Sequence, residues 1–132
     1  MIDLIKLALE YKEKAYVPYS NFRVGAAVRF ESGNVYGGCN IENVSFGATN
    51  CAERTAIFTA LTAGVKKGDF KELHVMTSST KTIGMPCFVC RQMISEVFDK
   101  DAKIICYNTK GESVCHTVEE LCPYPFGEDD LR

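Results

Sequence analysis

The sequence predicts an α/β fold, a three-layer α/β/α sandwich around a mixed five-stranded sheet whose last strand is antiparallel. Three observations carry that prediction. Two strand-like runs flank a turn signal early in the chain, apolar strands alternate with helical patterns in its second half, and the link before the final strand is too short for a crossover. At 132 residues the chain suits a single domain, 1–132, which at this size buries roughly two-thirds of its unfolded surface and needs no covalent staple.

Near the N-terminus, Ile2, Ile5 and Leu9, with Lys12 and Tyr16 further on, mark the faces of an amphipathic first helix running to about Ala15 and closed by Pro18. "FRVGAAVRF" and "VYGGCNI" then flank "ESGN" as an antiparallel hairpin. "ENVSFGATN" has no period and carries Gly, Ser, Thr and Asn, the composition of a loop that touches a ligand. From Cys51 to Ala63, Ala52, Ala56, Phe58 and Ala60 space a second helix, expected to be buried on most sides and stopped by Gly64. "ELHVMTSS" is a strand, "CFVCRQMISEVFD" a third helix entered through Pro86, and "KIICYN" a strand parallel to the previous one. "NTKG" returns the chain into "SVCHTV", the antiparallel last strand, and the tail "CPYPFGEDDLR" is expected to pack on a neighbour.

Composition excludes several classes of function. Fifteen Lys and Arg against seventeen Asp and Glu give a net charge of -2, which leaves no electrostatic footprint for a nucleic-acid partner. Asp3, Lys6 and Glu10 interrupt the apolar opening, excluding a signal peptide or membrane span and pointing to the cytoplasm. Seven cysteines, an odd number with no secretory signal, favour reduced thiols and metal binding over disulfides.

Two segments carry the chemistry. "NCAERTA" sets Cys51 two positions before Glu53 with Arg54 next, and "MPCFVCRQ" sets Cys87 and Cys90 at C-x-x-C spacing with Arg91 next. Three thiolates fill three corners of a tetrahedral zinc site and leave the fourth for a reactive water, whereas structural sites usually close all four. Both segments fall at expected helix N-termini, where free N–H groups and the helix dipole favour thiolates. Three thiolates also leave the site negative, so Arg54, and potentially Arg91, are expected to hydrogen-bond the sulfurs and withdraw charge. Glu53 is not on the helix face of Cys51, but in the first turn its carboxylate reaches toward metal-bound water as a proton shuttle. Cys39, Cys106, Cys115 and Cys122 lie in or beside apolar runs and read as small core residues, and His74 and His116 as structural.

With these motifs in place, the chain resembles the small homotetrameric cytidine deaminases of nucleoside salvage, because "YVPYSNFRVGAAV", "GGCNIENVSFGATNCAERTAIF", "PCFVCRQ" and "VEELCPYPF" fall in that family's order. The same combination of zinc ligands, a non-ligating Glu and a P-C-x-x-C element marks zinc deaminases generally. The resemblance implies one Zn2+ per chain held by Cys51, Cys87 and Cys90, with Arg54 supporting the sulfurs. It implies hydrolysis of cytidine and deoxycytidine, zinc-activated water attacking C4 while Glu53 protonates N3 and then the departing amino group. Asn40 and Glu42 of "NIEN" match the pair that binds the ribose 3'-hydroxyl, Phe22 matches the aromatic on the base, and Ala52 joins the substrate-binding set. Phe126 matches a tail aromatic that completes a neighbouring subunit's pocket. The chain departs from the family at Phe88 and Val89, where small residues are usual, at Phe46 in place of tyrosine, and at Met85 before Pro86. Alternatives from the residues are a deaminase of a modified cytosine nucleoside or nucleoside antibiotic, and a noncatalytic zinc module, which would have no use for Glu53.

Overall fold

A computed structural model describes residues 3–132. Its five-stranded mixed sheet is ordered β2-β1-β3-β4-β5, with β1 Val24–Phe30, β2 Val35–Cys39, β3 Phe70–Thr77, β4 Phe98–Tyr107 and β5 Ser113–Thr117. The β1–β2 hairpin, the parallel pairing of β3 with β4 and the antiparallel return of β5 along β4 are as the chain order predicts, and β1 also pairs antiparallel with β3, joining the hairpin to the rest of the sheet. The helices are α1 Leu4–Glu13, α2 Ala52–Thr62, α3 Phe88–Val97 and α4 Val118–Leu121. Among the described residues no helix is long and apolar enough to cross a membrane.

Period-two alternation sorts side chains onto the two faces of the sheet. Ala26, Val28 and Phe30 of β1, Leu73 and Val75 of β3, and Ile104 and Cys106 of β4 join the core that holds Ala56, Ile57 and Ala60 of α2 and Ile94 and Val97 of α3. The intervening residues Ala27, Met76 and Tyr107 pack with Leu4 and Ala8 of α1 on the other face. Burying a side chain the size of Ile57 contributes roughly 1.5–3 kcal/mol, so this alternation, repeated over three strands, fixes the register of the whole sheet.

Two glycines permit the close approach of helices to opposite faces. A Cβ on Gly25 would lie 2.0 Å from the Ala8 carbonyl oxygen of α1, and one on Gly38 would lie 2.6 Å from the Ala56 nitrogen of α2. These are backbone atoms that cannot swing aside. Gly38→Ala is therefore expected to push α2 off the sheet, lowering stability by about 1–3 kcal/mol or more, read as a drop in Tm, and lowering zinc retention with it because α2 carries the first ligand at its N-terminus.

The structure corrects the face assigned to α1. Leu4 and Ala8 are its buried residues, while Ile5 and Leu9 are more than two-fifths exposed, and Ile2 lies outside the described residues. The helix is rotated so that its small residue meets Gly25, a close-packing requirement that a count of apolar side chains does not express. On α2 the correction is by one position, Ile57 being fully buried and Phe58 exposed. Of the four cysteines expected in the core only Cys106 is buried; Cys115 is exposed on edge strand β5, and Cys39 and Cys122 are half-buried. His74 is structural, its Nδ1 lying 2.8 Å from the Tyr107 hydroxyl.

Candidate metal centre and substrate clamp

Cys51 and Cys87 are the N-caps of α2 and α3, both with extended backbone, so each sulfur stands at the open end of a helix. The sheet brings the two ends together. The sulfurs of Cys51, Cys87 and Cys90 all lie within 4.8 Å of one another, and Cys51 Sγ is 3.7 Å from Cys87 Sγ. Two sulfurs bound at about 2.3 Å to a tetrahedral zinc are roughly 3.8 Å apart, so the observed spacing is that of one edge of a zinc site and far too long for a disulfide. The backbone N–H of Cys90 points at Cys87 Sγ at 3.5 Å, the helix-end interaction that favours thiolate.

Arg54 spans the cluster as the sequence led us to expect. Its Nε donates to Cys90 Sγ at 3.4 Å and a terminal nitrogen donates to Cys51 Sγ at 3.3 Å. A hydrogen bond from Cys90 lowers the Cys51 thiol to about 5, with Arg54 and Cys87 helping against burial, whereas the shared bond and burial raise the Cys90 thiol. A bound dication draws the sulfurs into ionised form. Arg91 does otherwise than expected: its Nε donates to the Pro86 carbonyl at 2.7 Å and a terminal nitrogen to the Leu121 carbonyl at 3.0 Å. It ties the ligand-bearing turn to α4 instead of touching sulfur, because residue 91 faces away from Cys87 and Cys90 toward the chain end. Arg54→Gln is expected to lower zinc affinity about 10–100-fold, measured by competition with a chromophoric chelator.

Glu53 is only 4% exposed, in the first turn of α2 between two buried alanines. Burial pushes its carboxyl up to about 7, opposed by a bond from its own backbone N–H and reinforced by the charge on Cys51. Among the described residues this buried carboxyl has no ion-pair partner, a costly arrangement as pure structure, and it lies close enough to Cys51 and Cys90 for their sulfurs to influence its titration.

Three of the expected substrate residues, Phe22, Asn40 and Glu42, form a second cluster. Asn40 Oδ1 accepts from the Val24 N–H at 2.9 Å, and Asn40 Nδ2 donates to the Phe22 carbonyl at 2.8 Å. Glu42 Oε1 accepts from the N–H groups of Tyr19 and Ser20, each at 3.1 Å, and Oε2 accepts from the Ser20 hydroxyl. Those bonds, the hydroxyl's foremost, hold the Glu42 carboxyl below the usual carboxylate range. Ala52 is buried beside Glu53, and Phe22 is exposed. Phe126 is 57% exposed, with its carbonyl accepting from Gln92 Nε2 of α3 at 2.7 Å. Phe88 and Val89 project outward, the Phe88 ring lying 4.4 Å from the Arg91 guanidinium, so their bulk does not fill the space over the sulfurs. Met85 packs against the main core. Ser20 and Gln92 fall inside quoted motifs, but the sequence assigns them no contact, since Ser20 reaches Glu42 and Gln92 reaches Phe126, each more than twenty positions away.

The three-cysteine site with its acid matches a known pattern. Residues 2–107 match the family model described as the cytidine and deoxycytidylate deaminase zinc-binding region. The chain belongs to that family. The cytidine and deoxycytidylate deaminases similar to it include the cytidine deaminase of Sporosarcina psychrophila, 44% identical over 98% of this chain and 96% of the relative, and that of Halalkalibacterium halodurans, 43% identical with the same coverage. In the solved cytidine deaminase of Burkholderia pseudomallei, 42% identical, the fold superposes with a TM-score of 0.89 over 93% of this chain and 96% of that one. The cytidine deaminase of Mycobacterium tuberculosis, 32% identical, superposes with a TM-score of 0.79 over 96% and 99%. The mixed sheet with flanking helices is thus the fold of cytidine deaminases, and zinc is the metal that this family's site takes.

Proposed function

We propose that the chain hydrolyses cytidine and deoxycytidine to uridine and deoxyuridine, releasing ammonia, as an enzyme of pyrimidine nucleoside salvage in the cytoplasm. The observation that carries this reading is the set of three cysteine sulfurs at zinc-ligand spacing beside buried Glu53, in a chain that matches a zinc-binding deaminase family over four-fifths of its length.

Cys51, Cys87 and Cys90 would hold the zinc. When bound, the ion supplies Lewis acidity that makes a water nucleophilic near neutral pH. Glu53 accepts a proton from the attacking water and delivers it to N3 of the cytosine ring, then takes the remaining proton from the hydroxyl formed at C4 and gives it to the amino group, which leaves as ammonia while the C4 carbonyl forms. Its burial suits both duties, since a carboxyl poised near 7 gives up and takes back a proton at similar cost. Arg54 supports the ligands by drawing charge from Cys51 and Cys90, which offsets the loss of acidity that three anionic sulfurs would otherwise cause. Asn40 and Glu42 hold the ribose 3'-hydroxyl, Phe22 packs on the base, and Ala52 contacts it beside Glu53. A pair of polar groups committed to one hydroxyl loses its partner when the sugar is missing, so free cytosine is a poor substrate.

The active assembly in this reading is a homotetramer in which Phe126 closes a neighbour's pocket. Its support is the exposed aromatic tail, Tyr124 being fully exposed and Phe126 more than half so. The function is tested by following ammonia and uridine released from cytidine, deoxycytidine and free cytosine by zinc-loaded protein. Equimolar ammonia and uridine from the nucleosides, with little from the base, is the expected result, and turnover of cytosine alone overturns the substrate assignment.

A further inference from the structure

We propose that Ser20 is a positioning residue for nucleoside recognition, fixing the one oxygen of Glu42 that remains free to accept the sugar hydroxyl and holding Phe22 through the same side chain. The inference rests on the assignment of Asn40 and Glu42 to the ribose 3'-hydroxyl.

A carboxylate oxygen has two lone pairs, and Glu42 Oε1 already accepts from two backbone N–H groups, those of Tyr19 and Ser20. Among the described residues Oε2 accepts from the Ser20 hydroxyl alone, which leaves it a lone pair. The substrate hydroxyl thus donates to Oε2. Asn40 supplies the matching half: Nδ2 spends one hydrogen on the Phe22 carbonyl and keeps the other for the hydroxyl oxygen. The direction of every bond is fixed, because a carboxylate accepts only and the Ser20 hydroxyl has a single proton.

That proton goes to Glu42, so Ser20 Oγ is left to accept, and it accepts from the Phe22 N–H at 3.0 Å. Phe22 is gripped at its nitrogen by Ser20 and at its carbonyl by Asn40. The sugar clamp and the base platform are consequently one hydrogen-bonded unit. The backbone is shaped for it: the Asn21 N–H closes a turn onto the Val17 carbonyl at 3.0 Å, and Asn21 takes φ +58, a left-handed conformation asparagine tolerates well. Tyr16 and Glu42 are joined on the other side by a 2.9 Å backbone bond. Ser20 and Glu42 also line a cavity of about 400 Å³ with Tyr19, Asn43, Phe46 and Thr49, so the Ser20–Glu42 contact borders open space.

Removing the hydroxyl leaves Glu42 Oε1 anchored by two N–H groups, so the fold tolerates the change while Oε2 loses its orientation. The experiment compares deoxycytidine with 2',3'-dideoxycytidine, which lacks the 3'-hydroxyl, on native protein, Ser20→Ala and Ser20→Thr, with Tm and zinc content recorded for each. Native protein is expected to favour deoxycytidine strongly in kcat/KM. Ser20→Ala is expected to lower kcat/KM for both substrates, because Phe22 loses the anchor at its nitrogen, and beyond that shared loss to cut the preference about tenfold, the loss of one hydrogen bond to a charged group, chiefly through KM for deoxycytidine, with zinc content unchanged. Ser20→Thr, which keeps the hydroxyl, restores most of the preference. Equal losses on both substrates in Ser20→Ala, or full preference retained, overturn the role given to Ser20. A native protein that does not discriminate between the two substrates overturns instead the assignment of Asn40 and Glu42, whatever Ser20 does.

Discussion

Glu53→Gln is expected to lower kcat for cytidine by a factor of about 10²–10⁴ while leaving zinc bound. The amide has nearly the same shape as the carboxylate and fits the same buried space, so the fold and the three sulfur positions persist. What disappears, in the proposed mechanism, is the group that carries one proton of the water to N3 and the other, from the new C4 hydroxyl, to the leaving amine. Because the same carboxyl serves both transfers, the loss falls on the chemical steps and not on ground-state binding, and KM is expected to change much less than kcat. Steady-state kinetics with a zinc assay on the same preparation checks this. Unchanged kcat in a zinc-replete variant would make Glu53 a buried structural acid, a role its 4% exposure and lack of an ion-pair partner among the described residues make costly.

The second large effect is expected from Cys90→Ala. Cys90 is fully buried, accepts from Arg54 Nε, and sits one helical turn from Cys87 on α3. Its removal takes one of three protein ligands and leaves the Arg54 guanidinium with a single sulfur partner. Zinc content is expected to fall well below stoichiometric and cytidine turnover to below detection, and added zinc is expected to restore neither. The stability cost is separate: a small buried side chain is truncated, so the Tm falls modestly compared with the loss of activity. Full activity in a zinc-free variant would place the metal elsewhere.

The parts of this molecule written in short-range pattern were legible before the structure. The C-x-x-C spacing, the acid two residues after Cys51, the strand alternation and the parallel pairing of β3 with β4 all follow from spacing within one or two elements. Arg54 was legible for the same reason, since it lies one turn from Cys51. What sequence did not disclose is set by packing between distant segments. The outward position of Ile5 and Leu9 follows from Gly25 meeting Ala8 across the α1–sheet contact. Arg91 turns to Leu121, thirty positions away, and Ser20 reaches Glu42, twenty-two positions away, through a turn whose geometry depends on Asn21. Cys115 lies on an edge strand, where alternate side chains face solvent instead of a second layer.

The central claim is that one zinc held by Cys51, Cys87 and Cys90 makes this chain a cytidine-hydrolysing enzyme. The most direct test follows the ultraviolet absorbance of cytidine with protein as purified, with protein stripped by a strong chelator, and with the stripped protein reloaded with zinc, counting zinc per chain in each sample. A steady fall in absorbance at about one zinc per chain, none after stripping, and recovery in proportion to zinc restored is the expected result. Undiminished turnover by the stripped protein, or a zinc-loaded assembly that leaves cytidine untouched, would contradict the central claim.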